Sequence, residues 1–299
     1  MKKYFEKIKR YIKNPSWFFM ALLNRMYFIP DRLYLKFMYR LRTKMNLDLK
    51  NPKYFNEKIQ WLKLYDRKPE YTKMVDKYMV REVIAKKIGE QYLIPLYGVW
   101  DSFDEIPFDT LPEQFVLKCT HDCGSIIICK DKKNIDMEIT HRHFKKCMGR
   151  NYYYQQREWS YKNIKPRIIA EKLMIDESGT ELKDYKIQCF NGEPKIIQVD
   201  FNRFSDIHKR NFYSPDWEYQ PFSLLYPTFP EIEIKKPQTL IEMLDIAREL
   251  SRNIPYLRVD LYSVGERIYF GELTFHHGSG YEKFTPPEWN EVWGSWLKL

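Results

Sequence analysis

The residues best suited to chemistry are two acids late in the chain, Asp260 and Glu272, which lie in β-rich runs separated by Ser-Val-Gly-Glu-Arg. The glycine-containing turn predicts a hairpin, and an odd-length loop centred near Glu266 would place the two acids opposite each other. Strand alternation puts Arg258 on the face of Asp260 and Thr274 on the face of Glu272. Because neighbouring carboxylates repel, we expect a positive charge between them, and a hard divalent cation prefers such oxygen ligands. The alternative is a solvated face that carries two acids.

Two lysines in predicted strands could add positive charge to this chemistry. Lys118 ends an apolar run and precedes a loop whose backbone N–H groups can face a phosphate; the loop residues of interest are Thr120, His121, Gly124 and Ser125. With its single glycine, the loop does not match a Walker pattern. Lys186 lies in the middle of an otherwise apolar run, where it either serves a site or faces solvent. Glu171 and Lys172 follow a third apolar run.

The elements that must position these residues are a mixture of helices and strands. Helical spacing predicts helices over residues 56–67, 73–90, 138–149 and 238–252. Short β-rich runs predict a buried strand or loop over 93–100, strands over 114–118, 125–129 and 167–171, and a hairpin formed by 184–190 and 195–199 around the turn Asn191-Gly. Because these elements do not alternate regularly, the pattern indicates an α+β fold with antiparallel sheets.

The net charge of +10 is concentrated at the N terminus. Residues 1–50 contain 13 Lys and Arg against three acids, so the remainder of the chain is neutral. This asymmetry argues against a general nucleic-acid surface and for a basic N-terminal module. Its apolar run, Trp17–Leu23, is far shorter than the roughly 20 residues that span a bilayer and lacks the features of a signal peptide. We expect either docking on anionic lipid or packing of the aromatic residues on the rest of the protein.

The five cysteines are odd in number and include no C-x-x-C pair. Cys119-x3-Cys123 lacks the second pair of ligands that a zinc site needs, and no histidine pair completes one at the usual spacing. We therefore expect reduced thiols in a cytoplasmic protein.

The order of these features is that of an ATP-grasp nucleotide site: a strand lysine, a glycine-containing loop, a glutamate after a strand, a second strand lysine, and an Asp and Glu on a hairpin. Longer stretches make the resemblance more specific, among them Phe115-Val-Leu-Lys-Cys-Thr-His-Asp-Cys-Gly-Ser, Lys165-Pro-Arg-Ile-Ile-Ala-Glu-Lys, Arg258-Val-Asp-Leu-Tyr and Gly271-Glu-Leu-Thr-Phe-His-His-Gly-Ser-Gly. Over about residues 51–285, the chain resembles the TupA-like ATP-grasp family of bacterial cell-surface polysaccharide and teichuronopeptide biosynthesis.

The resemblance implies an ATP-grasp fold, in which two α+β subdomains hold MgATP between antiparallel sheets. It divides the chain into a basic, aromatic and helical N-terminal extension that could associate with membrane, a helical region, a nucleotide-lid subdomain and a catalytic, metal-binding subdomain, over residues 1–50, 51–110, 111–170 and 171–299.

The resemblance also implies a role for each matching residue. Lys118 contacts ATP phosphate, the 120–125 loop closes over it, and Glu171 with Lys172 lines the nucleotide pocket. Lys186 is a second phosphate-side lysine, and Arg258 faces the transferring phosphoryl group. Asp260 and Glu272 hold Mg²⁺ together with Thr274, a position at which many ATP-grasp enzymes have asparagine. The acidic or sugar substrate lies near Arg203, His208, Arg210, His276 and His277.

The implied activity is that of an ATP-dependent carboxylate–amine ligase acting through an acylphosphate. Its substrates are a carboxylate-bearing surface polysaccharide or lipid-linked sugar and an amino acid or other amine, with no nucleic acid involved. The implied location is the bacterial cytoplasm, with peripheral attachment to the inner face of the membrane as a further expectation. The alternatives are a glycosyltransferase of a capsule or O-antigen cluster, a sugar kinase on the same fold, and a non-catalytic scaffold. The chain contains no Asp-x-Asp motif, which disfavours the glycosyltransferase.

Overall fold

The computed structural model describes residues 15–175, 182–201, 209–232 and 234–299, with side chains from residue 18 onward. The helices are α1 Pro15–Leu23, α2 Asp31–Thr43, α3 Phe55–Tyr65, α4 Glu70–Val75, α5 Val80–Lys87, α6 Met137–Met148, α7 Tyr153–Gln156, α8 Leu240–Ser251 and α9 Glu288–Trp296. The strands are β1 Leu96–Trp100, β2 Phe115–Cys119, β3 Ile127–Cys129, β4 Ile168–Lys172, β5 Asp184–Phe190, β6 Glu193–Phe201, β7 Lys209–Tyr213, β8 Ser223–Leu224, β9 Tyr256–Val264, β10 Arg267–Thr274 and β11 Phe284–Thr285. In this part of the chain, no helix has the length and apolar character needed to cross a membrane.

The strands form antiparallel sheets, which confirms the predicted α+β fold. The first sheet has the strand order β1-β4-β2-β3. Along β2, Phe115, Leu117 and Cys119 point into a core that includes Phe144 of α6, so Lys118 lies on the opposite face. Its first strand, β1, lies within residues 51–110, the region predicted to be helical. Strand β4 crosses the predicted boundary between the nucleotide-lid and the catalytic subdomains, which falls between residues 170 and 171.

The second sheet has the order β10-β9-β5-β6-β7 and carries most of the predicted site. One of its faces packs against α8, and the core there includes Ile187, Val199, Val259 and Ala247. Because side chains alternate along each strand, the residues between these apolar positions form a second face, which is rich in charged groups. Strands β11 and β8 form a separate two-stranded sheet, whose Leu224 and Phe284 pack against Phe212 and Tyr256 of the second sheet.

The β9–β10 hairpin places Asp260 opposite Glu272, as predicted, but by a different route. The strands are joined by a two-residue turn, Gly265-Glu266, so the predicted odd-length loop is wrong. With that turn, a regular ladder would pair Asp260 with Gly271. A bulge at Gly271 adds one residue to β10 and restores the pairing of the two acids.

The helix predicted over residues 73–90 is interrupted, which corrects that prediction. Helix α4 ends at Val75, and the next residue, Asp76, is extended, with φ −71° and ψ 115°. Its Oδ1 accepts hydrogen bonds from the backbone N–H groups of Tyr78 and Met79, at 2.8 and 3.0 Å. An aspartate that satisfies these donors competes with helical hydrogen bonding, so the chain turns before α5 begins.

The N-terminal helices α1 and α2 pack on the body of the protein through one side only. The inner side of α2 is fully buried at Tyr34, Leu35, Met38 and Tyr39, in a cluster that also contacts Trp61 of α3. The other side of both helices remains at the surface.

Candidate functional site

The acid pair of the β9–β10 hairpin does enclose a positive charge, which is the guanidinium of Arg258. Arg258 donates from Nε to Asp260 Oδ1 at 2.6 Å and from Nη2 to Asp260 Oδ2 at 2.8 Å. The same Nη2 donates to Glu272 Oε1 at 2.7 Å. Burial works against ionised Arg258, but the two carboxylates outweigh it and raise the arginine pKa well above its ordinary value. Two carboxylates are thus held within reach of one cation.

Lys186 lies on the same face as this pair and does not face open solvent. Its side chain is 7 % exposed, and its Nζ contacts the carboxylates of Asp184 and Asp260, the latter at 2.9 Å. The Oδ2 of Asp200 is 3.9 Å away. Burial alone would raise the pKa of Asp260, yet Arg258 and Lys186 lower it below its ordinary value. Asp260 is therefore an ionised group at the centre of the cluster.

The charged contacts continue across the sheet and return to Arg258. Arg210 of β7 donates from Nε to Asp200 Oδ1 at 2.7 Å, and its Nη1 lies 3.7 Å from Glu282 Oε2. That carboxylate oxygen is 3.2 Å from His277 Nε2, and His277 Nδ1 accepts from Arg258 Nη1 at 3.2 Å. We call this closed circuit the charge ring; its members are Arg258, Asp260, Lys186, Asp200, Arg210, Glu282 and His277.

His277 takes part in the charge ring as a neutral imidazole. Burial lowers its pKa, and the opposing effect of Glu282 does not reverse this. Because Nδ1 accepts from Arg258, the ring proton belongs on Nε2, which faces Glu282. Glu282 itself has a pKa of about 2, since burial raises it but His277 and Arg210 lower it more.

Buried polar groups of α3 hold the turn that carries His277. Lys63 donates to the carbonyl and hydroxyl oxygens of Ser279, at 2.8 and 2.7 Å. Gln60 donates to the carbonyl oxygens of Ser279 and Gly280, both at 2.9 Å. Burial lowers the pKa of Lys63 to about 7 despite the nearby Glu158. His276, the other predicted substrate residue here, lies 3.6 Å from Glu158 and is also buried.

On the first sheet, Lys118 and Glu171 form a close ion pair. Lys118 Nζ is 2.5 Å from Glu171 Oε2, and Arg81 Nη1 is 3.5 Å from Oε1 of the same carboxylate. Lys118 and Glu171 come from the paired strands β2 and β4, and their side chains are only 14 % and 8 % exposed. Lys172 ends β4, and its side chain is exposed.

The loop that follows Lys118 turns most of its polar side chains inward. Ser125 Oγ accepts from the backbone N–H of Cys119 at 2.9 Å and donates to Asp122 Oδ1 at 2.5 Å. Thr120 and His121 are also buried, so the loop can meet a ligand only with its backbone and its exposed tip, Cys123-Gly124. Gly124 has φ +101° and open space around it, a conformation that favours glycine.

The tip of this loop lies within electrostatic range of Glu272 on the second sheet. Packing around the thiol raises the pKa of Cys123, and the negative charge of Glu272 raises it further, while Lys77 and Arg258 oppose the shift. Lys77 also donates to the carbonyl oxygen of Asp122, which fixes the loop to the turn between α4 and α5. The tip of the predicted phosphate loop therefore lies near Glu272, one of the two predicted metal residues.

One member of the charge ring, Glu282, also lines a cavity of about 670 Å³. The cavity is further lined by residues of α2, of 223–227 and of 278–285, including Arg42, Tyr226, Tyr281 and Lys283. Its lining combines two cations, two tyrosines and the hydroxyl residues Ser223 and Thr285.

A comparison with models of protein families shows the family of this chain. The model of the family described as TupA-like ATPgrasp matches residues 57–298. The chain belongs to this family. The TupA-like assignment confirms the resemblance seen in the sequence and gives the ATP-grasp fold. No protein of curated function matches the chain.

Solved structures similar to this TupA-like chain include two D-alanine–D-alanine ligases and a RimK domain protein. The Bacillus anthracis ligase is 15% identical over 73% of this chain and 58% of its own, with a TM-score of 0.38. The Helicobacter pylori ligase is 14% identical over 81% and 69%, with a TM-score of 0.40. The RimK domain protein ATP-grasp from Sphaerobacter thermophilus DSM 20745 is 10% identical over 75% and 66%, with a TM-score of 0.39. The chain spans about 58% of the length of the Bacillus anthracis ligase.

The donor atoms of this TupA-like protein fit a hard cation on the β9–β10 hairpin. Asp260 and Glu272 present oxygens to a single guanidinium nitrogen, so the same two oxygens can approach one Mg²⁺. Thr274 pairs with Arg258 in the ladder and adds a hydroxyl oxygen near the hairpin end. In the described ranges, no group of three or more His, Cys, Asp or Glu side chains is arranged to hold a metal ion. Remaining ligands would therefore come from phosphate oxygens and water.

The structure gathers most of the predicted site residues into two groups. Lys186, Arg258, Asp260, Glu272, Arg210 and His277 meet on the second sheet, and Lys118 meets Glu171 on the first. Arg203 and His208 lie outside the described residues. Sequence reasoning missed Asp184, Asp200 and Glu282. Asp184 could have been predicted, because it stands two residues before Lys186 and therefore lies on the same strand face. The positions of Asp200 and Glu282 depend on the order of strands, for which the sequence gave no local signal.

Proposed function

We propose that the protein is an ATP-dependent carboxylate–amine ligase that activates its carboxylate substrate as an acylphosphate. Membership of the TupA-like ATP-grasp family supports ATP as the nucleotide. The observation that carries the proposal is the charge ring, because it links Asp260 and Glu272, the two acids that would hold a cation, to the cavity through Arg258, His277 and Glu282. A nucleotide phosphate and a second substrate would then meet at Arg258.

Each group of residues has a task in this reaction. Lys118 and the backbone of the 120–125 loop would hold ATP phosphates, with Glu171 and Lys172 beside the rest of the nucleotide. Lys186 and Arg258 would neutralise charge on the transferring phosphoryl group. Mg²⁺ held by Asp260 and Glu272, with Thr274 nearby, would supply further positive charge there.

The proposed steps balance as follows. A carboxylate oxygen of the substrate attacks the γ-phosphorus of ATP, the bond to the β-phosphate oxygen breaks, and ADP leaves. The amine then attacks the acyl carbon and loses a proton. Inorganic phosphate leaves with one oxygen of the original carboxylate, and an amide remains.

The cavity beside the charge ring suits a carbohydrate that carries a carboxylate. Tyrosine rings can pack on sugar faces, hydroxyl side chains can bond to sugar hydroxyls, and Arg42 and Lys283 can attract the negative charge. We propose a uronic-acid unit of a bacterial surface polysaccharide, or of its lipid-linked precursor, as this substrate. The second substrate is an amino acid or another amine, and the reaction takes place on the cytoplasmic side of the membrane.

Oxygen-isotope transfer tests the proposal. Purified protein is supplied with ATP, Mg²⁺, a mixture of amines and a uronic-acid oligosaccharide labelled with ¹⁸O in its carboxylate. We expect inorganic phosphate that contains one ¹⁸O atom, formed only when ATP and an amine are both present, together with a new amide detected by mass spectrometry.

Other products would point to the alternative functions. Phosphate retained on a sugar hydroxyl, without release of labelled inorganic phosphate, would indicate a sugar kinase and contradict the ligase. Transfer of a sugar from a nucleotide sugar, with no ATP consumed, would indicate a glycosyltransferase. The variant Lys118→Ala is the matched control, because it should abolish labelled phosphate while preserving the second sheet.

A further inference from the structure

Helices α1 and α2 and the turn between them keep a set of large apolar side chains at the surface. Phe28 is 80 % exposed and Phe37 is 56 % exposed; Phe19, Leu22 and Leu33 are exposed to about the same extent as Phe37. The helical spacing of Leu33 and Phe37 places them on one side of α2, opposite the buried Leu35 and Tyr39. These side chains therefore face away from the body of the protein, and we call the exposed sides of α1 and α2 the outer surface.

The outer surface is also uniformly basic. The exposed cations Arg25, Arg32, Lys36 and Arg40 lie between the apolar residues. Asp31 is the sole acid between residues 15 and 47. It does not offset these cations, because Arg67 at 2.6 Å and Tyr153 at 2.5 Å engage its carboxylate on the inner side.

We propose that the outer surface docks on an anionic lipid bilayer. Aromatic and aliphatic side chains between Lys and Arg suit the bilayer interface, where the rings enter the headgroup region and the cations contact lipid phosphate. A second copy of the chain is a poorer occupant, because two cationic surfaces would repel each other. The sequence before residue 15 contains six more basic residues and one acid, so the N-terminal region as a whole is strongly basic.

The same helix would bring the cavity close to the lipid. Arg42, near the end of α2, lines the cavity, and its guanidinium carbon lies 4.6 Å from the centre of the Tyr281 ring. Arg42 lies on the side of α2 away from Leu33 and Phe37, so docking through these two residues would hold the cavity one helix diameter, ~10 Å, from the membrane surface, within reach of a lipid-linked substrate. This last step rests on the proposed function, whereas docking itself does not.

Vesicle co-sedimentation of the full chain tests the proposal. Binding is measured to phosphatidylcholine vesicles and to vesicles that also contain phosphatidylglycerol. We expect clear preference for the anionic vesicles. Arg32→Glu combined with Lys36→Glu should lower the partition coefficient roughly tenfold or more. The matched control, Lys145→Glu with Lys146→Glu, makes the same charge change at exposed positions of α6 and should have a much smaller effect.

A second pair of variants tests the apolar contribution. Phe28→Ser with Phe37→Ser should remove the binding that persists at high salt, whereas Ile139→Ser with Ile241→Ser, at positions 58 % and 71 % exposed, should retain it. Equal binding to both vesicle types, or equal losses in test and control variants, would overturn the proposal. The proposal would also be overturned if the outer-surface variants bound vesicles as well as the unchanged protein but melted at a lower temperature or no longer formed a dimer. In that case the outer surface would pack against protein and not against lipid.

Discussion

Replacing Asp260 by asparagine should destabilise the protein much more than replacing Glu272 by glutamine. Asp260 is 1 % exposed and accepts from two nitrogens of Arg258 and from Lys186. Removing one member of a buried ion pair typically costs ~3–5 kcal/mol. Because Lys186 keeps contacts to Asp184 and Asp200, and Arg258 keeps Glu272, we expect the lower end, ~3 kcal/mol.

Glu272 provides the matched comparison. Its side chain is 39 % exposed, and its contact with Arg258 is therefore screened by water, so Glu272→Gln should cost ~1 kcal/mol or less. Both substitutions remove one negative charge while keeping the shape of the side chain. In a chain of 299 residues, a difference of ~2 kcal/mol corresponds to roughly 3 °C in melting temperature.

Thermal and urea unfolding, with and without ATP and Mg²⁺, measure both effects. Without nucleotide, we expect Asp260→Asn to melt well below Glu272→Gln, which should melt close to the unchanged protein. Adding MgATP should stabilise the unchanged protein but neither variant, because each variant lacks one of the two acids that would hold the cation. Equal stability of the two variants without nucleotide would refute the ion-pair argument. Full magnesium-dependent stabilisation in both would refute the site.

Three further predictions concern other parts of the site. Lys118→Ala should lower turnover roughly 10²-fold and destabilise the protein by ~3 kcal/mol, because the buried Glu171 carboxylate keeps only Arg81, at 3.5 Å. Lys118→Arg should restore stability more than turnover, since a planar guanidinium does not replace a compact ammonium; steady-state kinetics below the melting range and melting curves check this. Gly271→Ala should weaken magnesium-dependent ATP binding, measured by calorimetry, because its Cβ would lie 3.0 Å from the Asp260 carbonyl oxygen, whereas Gly149→Ala, with 3.5 Å to its nearest neighbour, should not. Folding lowers the pKa of Lys63 to about 7, so between that pH and the ordinary lysine pKa the unfolded chain binds more protons than the folded one. The free energy of unfolding, measured with urea and compared with that of Lys63→Met, should therefore rise by ~2 kcal/mol from about pH 7 to about pH 9. A difference between the two proteins that does not change with pH would contradict the lowered pKa.

The local part of the site was predictable, because strand alternation and hairpin signals act over a few residues. They correctly paired Asp260 with Glu272 and placed Arg258 on the same face. The bulge that achieves this pairing was not predictable, since a lone glycine in a strand is compatible with a regular ladder as well. The turn at Asp76 was missed for a similar reason: the apolar stripe continued, while one side chain competed for backbone N–H groups.

The rest of the site depends on the order of strands that are distant in the sequence. From the sequence, Lys186 could belong to a site or to a solvated face. The structure shows that it belongs to the site, because the neighbouring strands β6 and β9 supply Asp200 and Asp260 as its partners. The cavity draws on α2, on residues 223–227 and on residues 278–285, and no local pattern connects these segments.

With the proposed function, the charge ring would allow one face to hold both a cation and a phosphate. Arg258 Nη2 contacts the same oxygens of Asp260 and Glu272 that would hold a cation, so the guanidinium and the cation would compete for them. A guanidinium released from these oxygens needs a new anionic partner, since its burial is otherwise costly. The γ-phosphate of ATP would be such a partner. Nucleotide and metal should therefore bind together more strongly than either binds alone, and His277, which contacts the other terminal nitrogen of Arg258, would transmit the rearrangement to Glu282 at the cavity.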